Sequence, residues 1–173
     1  ILCGPTKQVA QILTRSTIPA VLTMIGSTAT GLKIISESTT SIKKLGMELG
    51  GNAPFIVFED ADLKKALDLA IGLKFGNCGQ ICVAANRFFV HEKIYDDFIK
   101  SYVKRASEIK LGFGEKYQAD MGPLVRSEDV NRMEMLIEDA ISKGAKLEYG
   151  GKVPKDKESK GNWFEPTVLT GLT

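Results

Sequence analysis

The sequence has 173 residues, of which 43% are hydrophobic and 25% charged, the composition of an ordinary globular protein with enough chain to bury one good core. Twenty-three Lys and Arg against 21 Asp and Glu leave a net charge of +2 with neither sign gathered in a long block, which argues against a nucleic-acid-binding arm and against an acidic tail. No apolar run approaches the roughly 20 residues of a membrane span, and three cysteines with a single histidine cannot assemble the usual metal-ligand sets.

Ile1, Leu2 and Cys3 read as the end of a buried strand entered mid-element, without the basic region and cleavage site of a signal peptide, so the chain is expected to be a piece of a longer protein. An odd, small number of cysteines fits reduced thiols, and with them a soluble, cytoplasmic protein. Pro5 and Thr6 open a helix through Arg15, with Val9, Ile12 and Leu13 on one face. Residues 20–25 (AVLTMI) form a buried strand that runs through a tight glycine turn, Gly26 to Gly31, into a helix ending near Ser38. Two more strands follow, Lys44 to Leu49 and Pro54 to Phe58, with Gly50-Gly51 between them as a candidate domain border.

Asp60 or Asp62 caps a helix whose apolar positions Leu63, Ala66, Leu67, Ala70 and Ile71 recur at 3.6-residue spacing, and which leads into residues 75–82 (FGNCGQIC). Arg87 to His91 makes a strand and Ile94 to Ile109 an amphipathic helix with Ile94, Phe98, Tyr102, Ala106 and Ile109 inward. After a loop from Leu111 to Pro123, a helix carries Val130, Met133, Leu136, Ile137, Ala140 and Ile141 and stops at Gly144. A strand at Lys146 to Tyr149, a solvated loop over 150–162 and a last strand from Trp163 to Leu169, bent at Pro166, complete the chain. Short β-rich runs alternating with helices predict an α/β fold with a largely parallel sheet.

Three features could carry chemistry, and each has a plainer reading. The amides and hydroxyls of the Gly26 to Gly31 turn could hold a phosphate at a helix N-terminus, or Ser27 could simply cap that helix; neither the Walker A nor the GxGxxG spacing is present. Cys82, four residues after Cys78, could be a nucleophile acidified at the amino end of a helix, or both thiols could be core, or the two could form a redox pair, which the Cα separation of roughly 6 Å in a regular helix disfavours. Glu48, at a strand end before Gly50-Gly51, could be a general base, or a surface acid paired with Lys43 or Lys44.

Taken in order, residues 26–31 (GSTATG), 48–52 (ELGGN) and 75–82 (FGNCGQIC) resemble the NAD(P)-dependent aldehyde dehydrogenase superfamily, with about 20 residues from the glycine turn to Glu48 and 34 from Glu48 to Cys82. Residues 85–87 (ANR), 121–124 (MGPL) and 164–168 (FEPTV) extend the resemblance over nearly the whole chain. The resemblance implies the end of a Rossmann-like cofactor domain over residues 1–50 joined to most of a catalytic domain over 51–173. It implies Cys82 as the nucleophile, which forms a thiohemiacetal and then a thioester, and Glu48 as the base that activates the hydrolytic water. It further implies NAD or NADP as cofactor, with Gly26, Ser27 and Gly31 at the pyrophosphate and Leu49 and Gly50 beside the nicotinamide.

The implied partner is a small-molecule aldehyde, with no nucleic acid, membrane or metal, and the full-length protein is expected to be a homodimer or homotetramer. Members are about three times this length, so the first Rossmann half, an upstream asparagine, a downstream glutamate segment and the oligomerisation strands are expected to lie outside this chain, which alone should have little or no turnover. The context Lys74-Phe75 with Ala85-Asn86-Arg87 is most similar to the succinate-semialdehyde branch, yet Gly76 stands where that branch usually has an arginine to pair with the substrate carboxylate. A neutral aldehyde is therefore an open alternative. Two further readings stay open: a non-catalytic α/β module with core cysteines, and a cysteine acyl transferase or hydrolase, which the lone His91 weakens.

Overall fold

The computed structural model describes residues 3–113, 119–157 and 161–172. The expected strand end at Ile1 and Leu2 lies outside the described residues. The chain is an α/β protein that divides into two compact units, Ile1–Gly51 and Asn52–Thr173.

The first unit contains α1 (Thr6–Arg15), β1 (Val21–Gly26), α2 (Thr28–Glu37) and β2 (Lys44–Leu49). β1 and β2 pair in parallel, with Ile25 opposite Glu48 and Gly26 opposite Leu49, so α2 is the crossover that a parallel pair requires. Ser27 caps α2, its Oγ accepting from the Thr30 amide at 3.2 Å. Arg15 reaches Glu37 at 3.4 Å and ties α1 to α2. The expected burial of this unit's apolar faces is not found: Ile25 in β1 is 80% exposed, and Val21, Ile12, Leu13, Leu32 and Ile35 are exposed as well. Two strands and two helices cover only one side of each element, and a period-2 or 3.6 pattern reports which residues are apolar, not whether anything packs on them.

The second unit holds the hydrophobic core. It contains β3 (Ala53–Val57), α3 (Leu63–Phe75), β4 (Ala85–Val90), α4 (Tyr95–Ser107), α5 (Ser127–Ser142), β5 (Lys146–Tyr149) and β6 (Val168–Thr170). β3 and β4 pair in parallel. Phe55, Val57, Phe88 and Val90 pack with Leu67 and Ala70 of α3 and Phe98, Tyr102 and Ala106 of α4, as the i, i+4, i+8 spacing along α4 dictates. Phe98 is 1% exposed, and burial of such a ring is worth about 1.5–3 kcal/mol. Asp62 caps α3 by accepting from the Lys65 amide at 3.1 Å. Asp96 and Asp97 lie in the first turn of α4 and Lys104 and Arg105 in its last, each charge complementing the helix dipole.

One expectation in this unit needs correction. The last strand does not run from Trp163 to Leu169: only Val168–Thr170 is strand, because Pro166 has no amide to donate and residues 163–167 form irregular backbone. β6 pairs antiparallel with β5, so two of the three two-stranded sheets are parallel and one is not, in line with the largely parallel pairing expected. Among the described residues no helix is long and apolar enough to cross a membrane.

Candidate active site

The seven predicted site residues fall into two places, six in the first unit and Cys82 in the second. In the first unit, parallel pairing sets Gly26 at the carboxyl end of β1 beside Leu49 at the same end of β2, and the N-terminus of α2 begins at Ser27, one residue on. Gly31, on the first turn of α2, lies against this end of the sheet: a Cβ there would sit 2.9 Å from Leu49 Cδ2 and 3.4 Å from Met24 Cε. Its missing side chain therefore lets the helix approach the strands closely. Around Gly50 a Cβ would meet nothing within 4 Å, so backbone here borders open space.

Gly26, Ser27, Gly31, Leu49, Gly50 and Glu48 are thus gathered at the carboxyl edge of one β–α–β crossover, the place where open parallel sheets receive ligands. The turn itself is less special than the sequence suggests, since neither Gly26 nor Gly31 has a positive φ and the strand passes directly into the cap. Ser27 Oγ is engaged with the Thr30 amide and, at 2.9 Å, with Thr30 Oγ1. Glu48 is exposed, and among the described residues it makes no ion pair with Lys43 or Lys44; Lys43 instead reaches the Ser38 carbonyl at 3.4 Å and the Thr40 hydroxyl at 3.2 Å.

In the second unit, Cys82 lies on a loop between α3 and β4. It is exposed and free, in a turn closed by the Ala84 amide on the Ile81 carbonyl at 3.0 Å. It is not at the amino end of a helix, contrary to one of the readings of the sequence, and with Cys78 it does not share a regular helix. Phe75, before the loop, and Ala84 and Ala85, after it, are buried, and Lys74 Nζ donates to Asn86 Oδ1 at 2.8 Å across its neck. Burial lowers the Lys74 ammonium below the usual lysine range.

The signal that sequence reasoning missed is the backbone between these anchors. Residues Asn77, Cys78 and Gly79 all have positive φ, at 50°, 59° and 72°, a run that only glycine adopts without cost. Gly79 is obligatory on a second count, because a Cβ would lie 2.9 Å from the Lys74 carbonyl oxygen. Asn77 and Gln80 brace the turn mutually: Asn77 Nδ2 donates to the Gln80 carbonyl and Gln80 Nε2 to the Asn77 carbonyl, each at 3.1 Å.

Two ties run from this turn to the segment 122–125. The Cys78 thiol donates to the Gly122 carbonyl at 2.9 Å and lies 3.4 Å from the Pro123 carbonyl, while Gln80 Oε1 accepts from the Val125 amide at 3.1 Å. Burial pushes the Cys78 thiol up. Beside the loop is a cavity of about 550 Å³, bordered by Lys74, Cys78, Gln80, Leu124, Arg126 and Phe164 among others. Core burial, one of the options for the cysteines, is not observed for Cys82, and all three thiols are free. No group of His, Cys, Asp or Glu that could hold a metal occurs among the described residues.

The aldehyde dehydrogenase family matches this chain over residues 1–173. Curated relatives include succinate-semialdehyde dehydrogenase [NADP(+)] 2 of Schizosaccharomyces pombe, 43% identical over 93% of this chain and 32% of its own length, and glutarate-semialdehyde dehydrogenase of Pseudomonas putida, 42% identical over 99% and 35%. Among solved structures, succinate-semialdehyde dehydrogenase from Burkholderia pseudomallei superposes with a TM-score of 0.93 at 44% identity, over 99% of this chain and 35% of that one. A 3,6-anhydro-L-galactose dehydrogenase in complex with NAP gives 0.94 at 38%, over 100% and 36%. The chain spans about a third of the length of the curated relatives it matches.

Proposed function

Because the chain belongs to the aldehyde dehydrogenase family, we propose that it is the thiol-bearing part of an enzyme that oxidises an aldehyde to a carboxylic acid with NAD or NADP. The observation that carries this reading is the presentation of Cys82: an exposed thiol on a loop held at its neck, at its left-handed turn and against residues 122–125. A core cysteine needs no such loop.

In this reading the Cys82 sulfur attacks the aldehyde carbon to give a thiohemiacetal, and the Cys82 backbone amide supports the oxyanion. A nicotinamide held beside Leu49 and Gly50 would supply the hydride acceptor needed for oxidation of the Cys82 thiohemiacetal to a thioester. Glu48 then takes a proton from water, which adds to the thioester carbonyl and releases the acid and the Cys82 thiolate. The first unit fits a dinucleotide in two respects: the N-terminus of α2 begins directly after the carboxyl end of β1, and the backbone at Gly50 leaves room beside it. Gly26, Ser27 and Gly31 would serve the pyrophosphate, and Leu49 and Gly50 the nicotinamide. Residues 1–50 would then be the last part of a cofactor domain and 51–173 most of a catalytic domain, in a homo-oligomeric, cytoplasmic whole.

The two curated relatives above are named for succinate and glutarate semialdehydes, whereas Gly76 offers no guanidinium to a substrate carboxylate, so a neutral aldehyde is the alternative substrate. The 173-residue chain alone is expected to give no steady formation of reduced cofactor at 340 nm with either class of aldehyde, while iodoacetamide labels Cys82 ahead of Cys3 and Cys78. In a protein extended to the full length of its relatives, Cys82→Ser should abolish reduced-cofactor formation. Glu48→Gln should leave one burst of about one equivalent per site and remove the turnover that follows. A Glu48→Gln protein that turns over like the parent would overturn the role given to Glu48, and an active Cys82→Ser protein would overturn the whole reading.

A further inference from the structure

The variable position four residues before the nucleophile carries a half-buried cysteine whose thiol is bonded across the fold. We propose that Cys78 is a positioning residue: its thiol, donating to the Gly122 and Pro123 carbonyls, holds the left-handed turn that sets the reactivity of Cys82. This rests on the reading of Cys82 as the nucleophile.

The geometry supplies the argument in three steps. Asn77, Cys78 and Gly79 occupy the left-handed region in succession, and two of the three carry a Cβ, so the turn is uphill for an isolated chain and persists only where tertiary contacts over-determine it. Among the described residues its side-chain hydrogen bonds to other parts of the chain are those of the Cys78 thiol to Gly122 and Pro123 and of the Gln80 side chain to Val125, and Cys78 also packs against the core of the second unit. The receiving segment is itself fixed. Met121 is buried and bridges to Leu111, and Leu124 exchanges bonds with Asn162, its amide donating to the Asn162 carbonyl at 2.8 Å and its carbonyl accepting from Asn162 Nδ2 at 3.4 Å.

Reactivity of Cys82 is thereby referred through Cys78 and Gln80 to a strip of backbone 44 and 45 residues further along the chain, respectively. Cys78 acts as the neutral thiol, its single proton directed at the Gly122 carbonyl with the Pro123 carbonyl beside it, and burial raises its ionisation in the same sense. A serine can donate to the same carbonyls, whereas an alanine cannot.

The test is the rate at which iodoacetamide alkylates Cys82, read by peptide mapping on the 173-residue chain as wild type, Cys78→Ala and Cys78→Ser, with thermal unfolding followed by circular dichroism on each. Cys78→Ala should slow alkylation of Cys82 about fivefold, the loss of one net hydrogen bond in the placement of the loop, with an unfolding midpoint close to wild type. Cys78→Ser should restore most of the rate, a recovery that a merely space-filling role would not produce. If Cys78→Ala fails to fold, Gln80→Leu removes the second tie from the half-exposed side and should slow Cys82 in the same direction. A folded Cys78→Ala chain that alkylates at the wild-type rate overturns the positioning role and leaves Cys82 as nucleophile untouched. A wild-type Cys82 no more reactive than the exposed Cys3 overturns both.

Discussion

Tyr102 is the one residue of the described core whose polar atom lacks a partner. Its hydroxyl is buried without a hydrogen bond among the described residues, while its ring stacks on Phe98 at 5.6 Å and meets Phe75 at 6.0 Å and Phe88 at 5.3 Å. The ring is therefore well placed and the oxygen badly, and burial holds its ionisation far above the ordinary tyrosine range. Tyr102→Phe keeps the stack and removes the orphan, so it should raise the unfolding free energy by about 1 kcal/mol or more, read as a higher midpoint in urea. A second consequence follows from linkage: a group whose folded pKa is raised contributes stability that is full below the unfolded value of about 10 and is lost as pH rises above it. Wild-type stability should accordingly fall faster than that of Tyr102→Phe above that pH, and equal slopes would mean that Tyr102 reaches water.

At the scale of elements, the second unit was legible wherever periodicity and capping agreed. Leu67 and Ala70 of α3, and Phe98, Tyr102 and Ala106 of α4, are buried as their 3.6-residue spacing dictates, and Asp62 rather than Asp60 is the cap. The Cys82 loop was legible only in part. Gly76 and Gly79 look alike in sequence, but Gly76 has room for a side chain and an ordinary φ, whereas Gly79 is left-handed and pressed on the Lys74 carbonyl. The left-handed turn at Asn77 and Cys78 is braced locally by Asn77 and Gln80 and tied by Cys78 and Gln80 to residues more than 40 positions away, and no local pattern encodes those distant ties. The Trp163 to Leu169 strand failed for the same reason in reverse, since a β-rich composition cannot supply the ladder donor that Pro166 lacks.

The helices α3 and α4 are also joined by charge. Asp68 accepts from Arg105 of α4 and from Lys64 one turn back at 3.0 Å, and these partners, Arg105 first, hold its carboxyl below the usual aspartate range. A depressed folded pKa gives stability that is present above the unfolded value of about 3.9 and disappears as pH falls through the folded one. Asp68 is exposed, so the effect is a screened one, weakened by salt. Asp68→Asn should flatten the acid limb of the stability–pH curve below about pH 4 at low ionic strength, with little change at pH 7 in high salt. An unchanged acid limb would show that the α3–α4 pair is decorative.

For the whole molecule, burial is divided unequally. Every fully buried hydrophobic residue described, from Val57 to Val168, belongs to the second unit, while the first buries only Thr14, Gly31 and Ser38 to that degree. The sequence assigned both units the same alternation of β-rich and helical runs, because periodicity measures amphipathicity and is silent on how much of the apolar face finds a partner. Stability should follow burial instead. The lone tryptophan, Trp163, is 1% exposed and lies in the second unit, so its fluorescence reports that unit alone, whereas far-ultraviolet circular dichroism reports the helices of both. The two signals should not coincide on denaturation: circular dichroism should begin to fall at lower urea, as α1 and α2 melt, before Trp163 changes. Hydrogen exchange should agree, with amides of β1 and β2 exchanging at least about tenfold faster than those of α3, α4 and β4, a gap of about 1.4 kcal/mol in opening free energy. Coincident transitions with equal protection in both units would mean that the two fold as one body, and that the first unit draws its stability from the second.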